Sequence, residues 1–389
     1  MKIEKLNAIV LALSPALGVY SIISGVGLQD LCWLILLPLI LLSFKENITK
    51  DISLKFYACI LLLTLLNSAY SYTDISLSIH NLFPISICFG VLILVKKRIN
   101  VNIFGKTLLV VGCLASIICI YQRIQLITTG SYDNIFFIPG LKVSRELESF
   151  TLSRPSAFFT EPAHLSIFLL PIFYWMLTSN KIKYAIVMAL GIIFSGSTTG
   201  FLLVIVLILY RVFLTDKMPW YMYFVVIIGI IVFIGLLITY AYEVIEENLR
   251  KLEVSSDSDN IRLLGGFIYI EGMNLKEHLV GIGLNQLEGF TLINRLPYYG
   301  NYSNAFIYSY LSYGILGFIA FIIYLKKMWR DSSKDRGFFI ILIGVLASDQ
   351  VLFNRNLYYL LMFVILSNSL LDYKYYILQF LLILIWKSL

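Results

Sequence analysis

The run Tyr184-Ala-Ile-Val-Met-Ala-Leu-Gly-Ile-Ile-Phe194-Ser-Gly-Ser-Thr-Thr-Gly200-Phe-Leu-Leu-Val-Ile-Val-Leu-Ile-Leu-Tyr-Arg-Val-Phe213 is apolar except for one interruption, Ser195 to Gly200. Its reading decides the course of everything downstream. A continuous helix of about 30 residues would measure ~45 Å, well beyond the ~30 Å hydrocarbon core of a bilayer. A single crossing would also send the basic cluster Lys326, Lys327, Arg330, Lys334 and Arg336 to the outer side, against the preference of Lys and Arg for cytoplasmic turns. Two short helices meeting at an outer Ser/Thr/Gly turn restore that preference. A backbone break of this kind is tolerated where protein or a wet cavity surrounds it.

Working outward, the same alternation organises the rest of the 389 residues, of which 59% are hydrophobic and 14% charged, with a mean hydropathy of +0.85. That balance excludes a soluble domain. Apolar runs near spanning length, with no regular alternation, predict helices and not a barrel. Residues 7–25 and 29–44 form a first hairpin, because no small-residue cleavage site follows the short basic start and a second apolar run begins at once. Residues 56–72 and 82–95 form a second hairpin, ending at Lys96-Lys97-Arg98, and 105–127 a fifth span. An outer loop over 128–161 leads to a sixth span from Pro162 to about Thr178, with Lys181 and Lys183 at its inner return. Beyond the broken run come a span at 219–241, a larger outer loop over 242–302, and spans at 303–325, 338–353 and 357–371. The tail 375–386 is too short for an ordinary span and suits the interface. The expectation is an all-α polytopic integral membrane protein of about 12 transmembrane helices, one membrane domain over 1–389, with both termini cytoplasmic.

The net charge of +7 sits in short turns, with no basic helix or aromatic-basic strip, so it orients helices and predicts no nucleic-acid partner. Cys32, Cys59, Cys88, Cys113 and Cys119 all fall in apolar runs without metal-ligand spacing and read as small buried side chains.

Three polar interruptions share the outer side. Arg154-Pro-Ser-Ala-Phe-Phe-Thr-Glu161-Pro162-Ala-His164 places three ionisable groups where a loop enters an apolar helix. Thr160, Glu161 and Pro162 equally suit a plain helix start, but a cap needs neither Arg154 nor His164. Ser195 to Gly200 is the second interruption. Arg262 with Gly281-Ile-Gly283-Leu-Asn285 is the third, and His278 beside it reads as a solvated loop group.

These residues resemble a family. The Arg154 to Pro162 stretch looks like the arginine-to-Glu-Pro signature of bacterial oligosaccharide repeat-unit polymerases of the Wzy type. Phe194-Ser-Gly-Ser-Thr-Thr-Gly200 resembles that family's serine-rich break, and Arg262 with Gly281 to Asn285 its large external loop. Ser303-Asn304 with Tyr313-Gly314-Ile-Leu-Gly317 resembles the span that follows. The resemblance covers about residues 100–325. It implies a GT-C-like polymerase/ligase architecture and a glycosyltransferase that polymerises undecaprenyl-diphosphate-linked oligosaccharides into O-antigen or capsular polysaccharide at the outer face of the bacterial cytoplasmic membrane. A chain-length regulator and a flippase are the implied protein partners. Related O-antigen ligases carry a histidine where this chain has Ser303, which favours polymerase over ligase. A flippase for the same lipid-linked sugars is the alternative of a different class, disfavoured by the lack of two similar halves.

The chemistry assigns roles. A lipid diphosphate leaving group is best met by guanidinium groups, so Arg154 and Arg262 lead, with Arg145 and Arg123 behind. Glu161, or secondarily His164, takes the proton of the attacking sugar hydroxyl. Ser197, Thr199 and Asn304 bind sugar hydroxyls or diphosphate oxygens. Fixed arginines stand in for a cation, so neither a metal nor a cofactor is expected.

Overall fold

Helix boundaries follow the polar punctuation of the chain. The computed structural model describes residues 2–23, 26–36, 51–70, 74–97, 99–132, 142–143, 154–215, 266–298 and 303–370. The expected span at 219–241, the tail 375–386, and the candidates Arg145 and Arg262 lie outside them.

Helix α1 (Lys2–Leu13) stops where Ser14-Pro15 forms a 3-10 turn, Ser14–Leu17. Proline has no N–H with which to continue an α-helix, and Ser14 turns its hydroxyl back to the Leu11 carbonyl at 3.0 Å. Strands β1 (Tyr20–Ile23) and β2 (Val26–Gly27) then pair antiparallel before α2 (Leu28–Ile35). The expectation of one helical span over 7–25 is therefore corrected. A third strand, β3 (Lys142–Val143), pairs with β1, placing Tyr20 opposite Val143 and adding a small sheet to the all-α plan.

Asp51 and Asn100 open α3 (Ile52–Asn67) and α5 (Val101–Thr129) by accepting backbone N–H groups of Ser53 and Ile103. Between them lies α4 (Ile75–Lys97). Helix α6 (Pro162–Thr178) has the expected bounds, and the decisive run breaks as expected into α7 (Ile182–Phe194) and α8 (Thr198–Tyr210). Three short helices, α9 (Gly266–Glu271), α10 (Leu275–Val280) and α11 (Leu287–Asn294), occupy what was read as plain loop. They are followed by α12 (Ala305–Asp331), α13 (Gly337–Ser348) and a final helix, α14, over 355–370. Among the described residues, α4, α5 and α12 are long and apolar enough to cross a membrane.

Contacts between turns sort the helix ends into two sets. Asn100 donates its N–H to the Glu4 carbonyl at 3.3 Å. The Tyr174 hydroxyl donates to Asp335 at 2.5 Å, Arg336 N–H donates to the Tyr210 hydroxyl at 3.2 Å, and Asn368 donates to the Asp331 carbonyl at 3.0 Å. The turns carrying Lys181, Lys326, Lys327, Arg330, Lys334 and Arg336 thus gather at one basic end. The Pro162 start, the α7–α8 break and the α13–α14 turn lie at the other. Helix α6 is buried continuously from Leu165 to Met176, the pattern of a helix enclosed on all sides. Its first turn carries the site.

Candidate functional site

Gln122, fully buried in the last third of α5, holds the approach to α6. Its Oε1 accepts the Ala157 N–H at 2.8 Å and its Nε2 donates to the Ala157 carbonyl at 3.3 Å. Ala157 adopts φ +54°, outside the usual range for a residue with a Cβ, and this two-point clamp keeps it there. The Ser156 hydroxyl donates to the Phe159 carbonyl at 2.8 Å, closing the turn. Nothing in hydropathy marks Gln122. It sits in the polar stretch Tyr121-Gln122-Arg123-Ile124-Gln125, so nothing local separates a buried, partnered glutamine from its neighbours. Gln122→Leu removes both bonds and strands the Ala157 N–H and carbonyl, a loss of about 2–4 kcal/mol by the usual penalty for buried unpaired groups. A lowered thermal unfolding midpoint in detergent is expected, and an unchanged one would remove Gln122 from this role.

The clamp sets the charged groups. Arg154 begins the segment half-buried, with its carbonyl accepting the Tyr132 hydroxyl at 3.0 Å. Burial, with Cys119 adding to it, raises the Tyr132 phenol above its ordinary value, so it remains a donor at neutral pH. Arg123 lies one turn beyond Cys119 on α5, and the Cys119 thiol approaches the Pro155 carbonyl at 3.8 Å, so α5 turns this face toward the Arg154 segment. Among the described residues neither guanidinium forms a salt bridge.

Glu161 is the N-cap residue of α6, with φ −139° and ψ 153°, and Pro162 occupies the first turn. The backbone is that of a helix start, yet the Glu161 carboxylate makes no capping hydrogen bond. Nor does the Thr160 hydroxyl serve as a cap, since it bonds Nδ1 of His164 at 2.5 Å. That bond fixes the imidazole one turn into α6, beside the half-buried Glu161.

The serine-rich break meets this same turn. Ser195 Oγ lies 3.3 Å from Ser166 Oγ on α6 and donates to the Ile192 carbonyl at 2.6 Å. Ser197 caps α8, its hydroxyl accepting the Gly200 N–H at 3.2 Å, while Thr199 is half-buried. The structure therefore brings Arg123, Arg154, Glu161, His164 and the break to one end of α6.

Asn304 belongs to a second group. It caps α12, its Oδ1 accepting the Phe306 and Ile307 N–H groups at 3.1 Å each. One turn on, the Tyr308 hydroxyl donates to Asn285 Oδ1 at 2.7 Å, joining two of the sequence motifs. Ile282 and Gly283 donate their N–H groups to the Leu311 and Ser312 carbonyls at 2.8 and 3.0 Å. Those carbonyls are free because α12 kinks at Gly314, with φ 61° and ψ −164°. His278 bonds the Tyr310 hydroxyl at 2.9 Å, which corrects its reading as a solvated loop group.

Between the two groups runs the α13–α14 turn, a feature the sequence reading passed over. The Asp349 carbonyl accepts the Ala305 N–H at 3.2 Å on one side, and the Tyr359 hydroxyl donates to the Phe168 carbonyl at 2.9 Å on the other. Arg355, at the start of α14, grips Asp30 of α2 through Nε at 3.0 Å and through a second, shorter contact. A polar stretch between two apolar runs was the available signal.

The site is recessed. Cys119 faces both Pro155 and the Gly191 carbonyl, the latter at 3.4 Å. Helix α5 continues from there to Thr129, about 15 Å at 1.5 Å per residue. Along that length Tyr121, Ile124 and Ile127 are exposed before the exposed Thr128 and Thr129 end the helix.

Chemically, the arrangement offers guanidinium groups without an ion pair among the described residues for an anion, and a carboxylate and an imidazole for a proton. Among the described residues no three His, Cys, Asp or Glu side chains group as metal ligands. Asp257-Ser-Asp259, a closely spaced acidic pair in the sequence, falls outside them. All five cysteines are free thiols, with Cys88 and Cys119 buried. No known family model matches this chain, and no curated protein matches it either.

Proposed function

We propose that this protein is a membrane glycosyltransferase that polymerises oligosaccharide units carried on undecaprenyl diphosphate. In this reading about 12 helices span the bacterial cytoplasmic membrane in a GT-C-like arrangement. Both termini and the basic end lie in the cytoplasm, and the α6 entrance faces outward. The observation that carries the reading is Arg154, half-buried and without a carboxylate partner among the described residues, in the segment where Gln122 clamps Ala157 and Glu161 makes no capping hydrogen bond.

A hydroxyl oxygen of the incoming lipid-linked unit attacks the anomeric carbon of the growing chain. The bond from that carbon to the diphosphate oxygen breaks, and its electron pair leaves with the lipid diphosphate. The hydroxyl proton passes to Glu161, oriented beside His164 and Thr160. Arg154, Arg123 and Arg262 meet the negative charge gathering on the diphosphate, as preorganised donors do where charge develops. Thr199 and the amide nitrogen of Asn304 remain for sugar hydroxyls, because the oxygens of Ser197 and Asn304 are engaged in caps.

Purified protein given lipid-linked single repeats is expected to make a ladder of longer glycans. Arg154→Lys keeps the charge and loses the planar multi-donor geometry, so elongation should fall by about 10- to 100-fold. Normal elongation at normal protein levels would return Arg154 to a structural role. A deletion strain should carry surface glycan one repeat long. Accumulated full-length polymer on the lipid carrier would favour a ligase, and repeats trapped on the inner leaflet a flippase.

A further inference from the structure

We propose that helix α10 is seated in the outer part of the bilayer, with its leucine face against lipid acyl chains, in place of an aqueous loop. The proposal stands on the spanning assignment of α12 and not on the glycosyl-transfer reading. Leu275 and Leu279 share a face of α10 and are 79% and 47% exposed. On α11 the exposed Leu292 stands between the exposed Glu288 and Arg295, about one turn to either side, so α11 does not extend this face. Single exposed leucines are ordinary on a soluble surface, but neighbouring ones that together leave an apolar face are not.

Position identifies the partner. Helix α10 does not sit above the end of α12 but alongside it. A Cβ on Gly314 would lie 2.5 Å from the Leu279 carbonyl carbon, and the Ile282 and Gly283 N–H groups reach the Leu311 and Ser312 carbonyls. Gly314 is about 13 Å along α12 from Ala305, within a helix long and apolar enough to cross a membrane. Just past that contact, α12 exposes Leu316, Ile319 and Ile323 at helical spacing. That exposed row belongs to a candidate span and starts where the leucine face of α10 stops, so one apolar covering serves both.

Glu277 is buried opposite that face, and Lys276 and His278 flank it with aromatic partners. Lys276 Nζ lies 4.6 Å from the Tyr70 ring centroid, and His278 bonds Tyr310. Asn274 and Glu277 close a reciprocal capping box, at 3.0 and 2.8 Å, which satisfies donors at the helix start. Backbone at membrane depth requires that internal satisfaction.

The test is tryptophan placed at either leucine, Leu275→Trp or Leu279→Trp, in full-length protein reconstituted with lipids brominated on their acyl chains. Both positions are exposed, so the larger ring disturbs no packing, and the second variant serves if the first expresses poorly. The emission added over the parent protein should be lost largely to the brominated chains and be insensitive to aqueous iodide. Quenching by iodide and not by brominated lipid overturns the proposal in favour of an aqueous surface. Protection from both overturns it in favour of a protein cover.

Discussion

Glu161→Gln is expected to leave a folded protein that makes no polymer. The substitution keeps the size of the side chain and removes only its ability to accept a proton. The Glu161 carboxylate makes no capping hydrogen bond, and Pro162 and the extended Glu161 backbone, which set the start of α6, are untouched. General-base catalysis contributes about 10²- to 10⁴-fold, so elongation by purified protein should fall by that factor while the thermal midpoint stays with the parent. His164→Gln gives the comparison: Glu161 is the base if its variant shows the larger fall. Full activity in Glu161→Gln would leave the residue with its backbone role alone.

Gly281→Ala is expected to yield no folded protein. Gly281 has φ 82° and ψ 176°, a region open essentially to glycine alone. Holding a residue with a Cβ there costs about 1–3 kcal/mol before any contact is considered. The added Cβ would also lie 2.2 Å from the Tyr313 nitrogen and 2.3 Å from the Ser312 carbonyl carbon. These atoms are backbone and cannot swing aside. The partner residue is bound in the same way, since Gly314 also combines positive φ with a nearly extended ψ. Two glycines therefore let one broken helix accept the segment that closes its break, and a Cβ on either forces them apart. Membrane extracts should contain little monodisperse protein, whereas normal yield and thermal midpoint would mean that α10 can separate from α12 without loss.

Much of the fold was legible where chemistry is local. Proline is favoured in the first turn of a helix, where its missing N–H costs nothing, and serines with glycine across residues 195–200 cannot extend an apolar helix cheaply, so the Pro162 start of α6 and the α7–α8 break stand as expected. The first span misled because summed hydropathy outweighed Ser14-Pro15 and the glycines that follow, although these govern the backbone directly. Helices α9 to α11 span six to eight residues each, too short for periodicity to register or for a helix to persist without tertiary partners.

Site residues show a complementary lesson about caps. A capping role was weighed at Thr160 and Glu161, where the side chains make none, while Ser197 and Asn304 were read for substrate and prove to cap α8 and α12. Both kinds of role call for the same short polar side chains at helix starts, so residue type alone does not separate them. Gln122 and the Asp30–Arg355 pair escaped for another reason. Their partners lie 35 and 325 residues away in the chain, and no local pattern encodes a distant contact.

The recess beside α5 has an electrical consequence. In a chain that spans a bilayer, the Arg154 segment lies about 10–15 Å inside the end of an apolar helix. Water following the polar residues down to it would carry the outer potential inward and leave a thinner insulating layer toward the basic end. Each elementary charge moved across a full membrane potential of 100 mV changes energy by about 2.3 kcal/mol. A dianionic group drawn into the recess would sense a fraction of that drop, so under the proposed function membrane voltage would enter the affinity of Arg154 for the lipid diphosphate alongside guanidinium geometry.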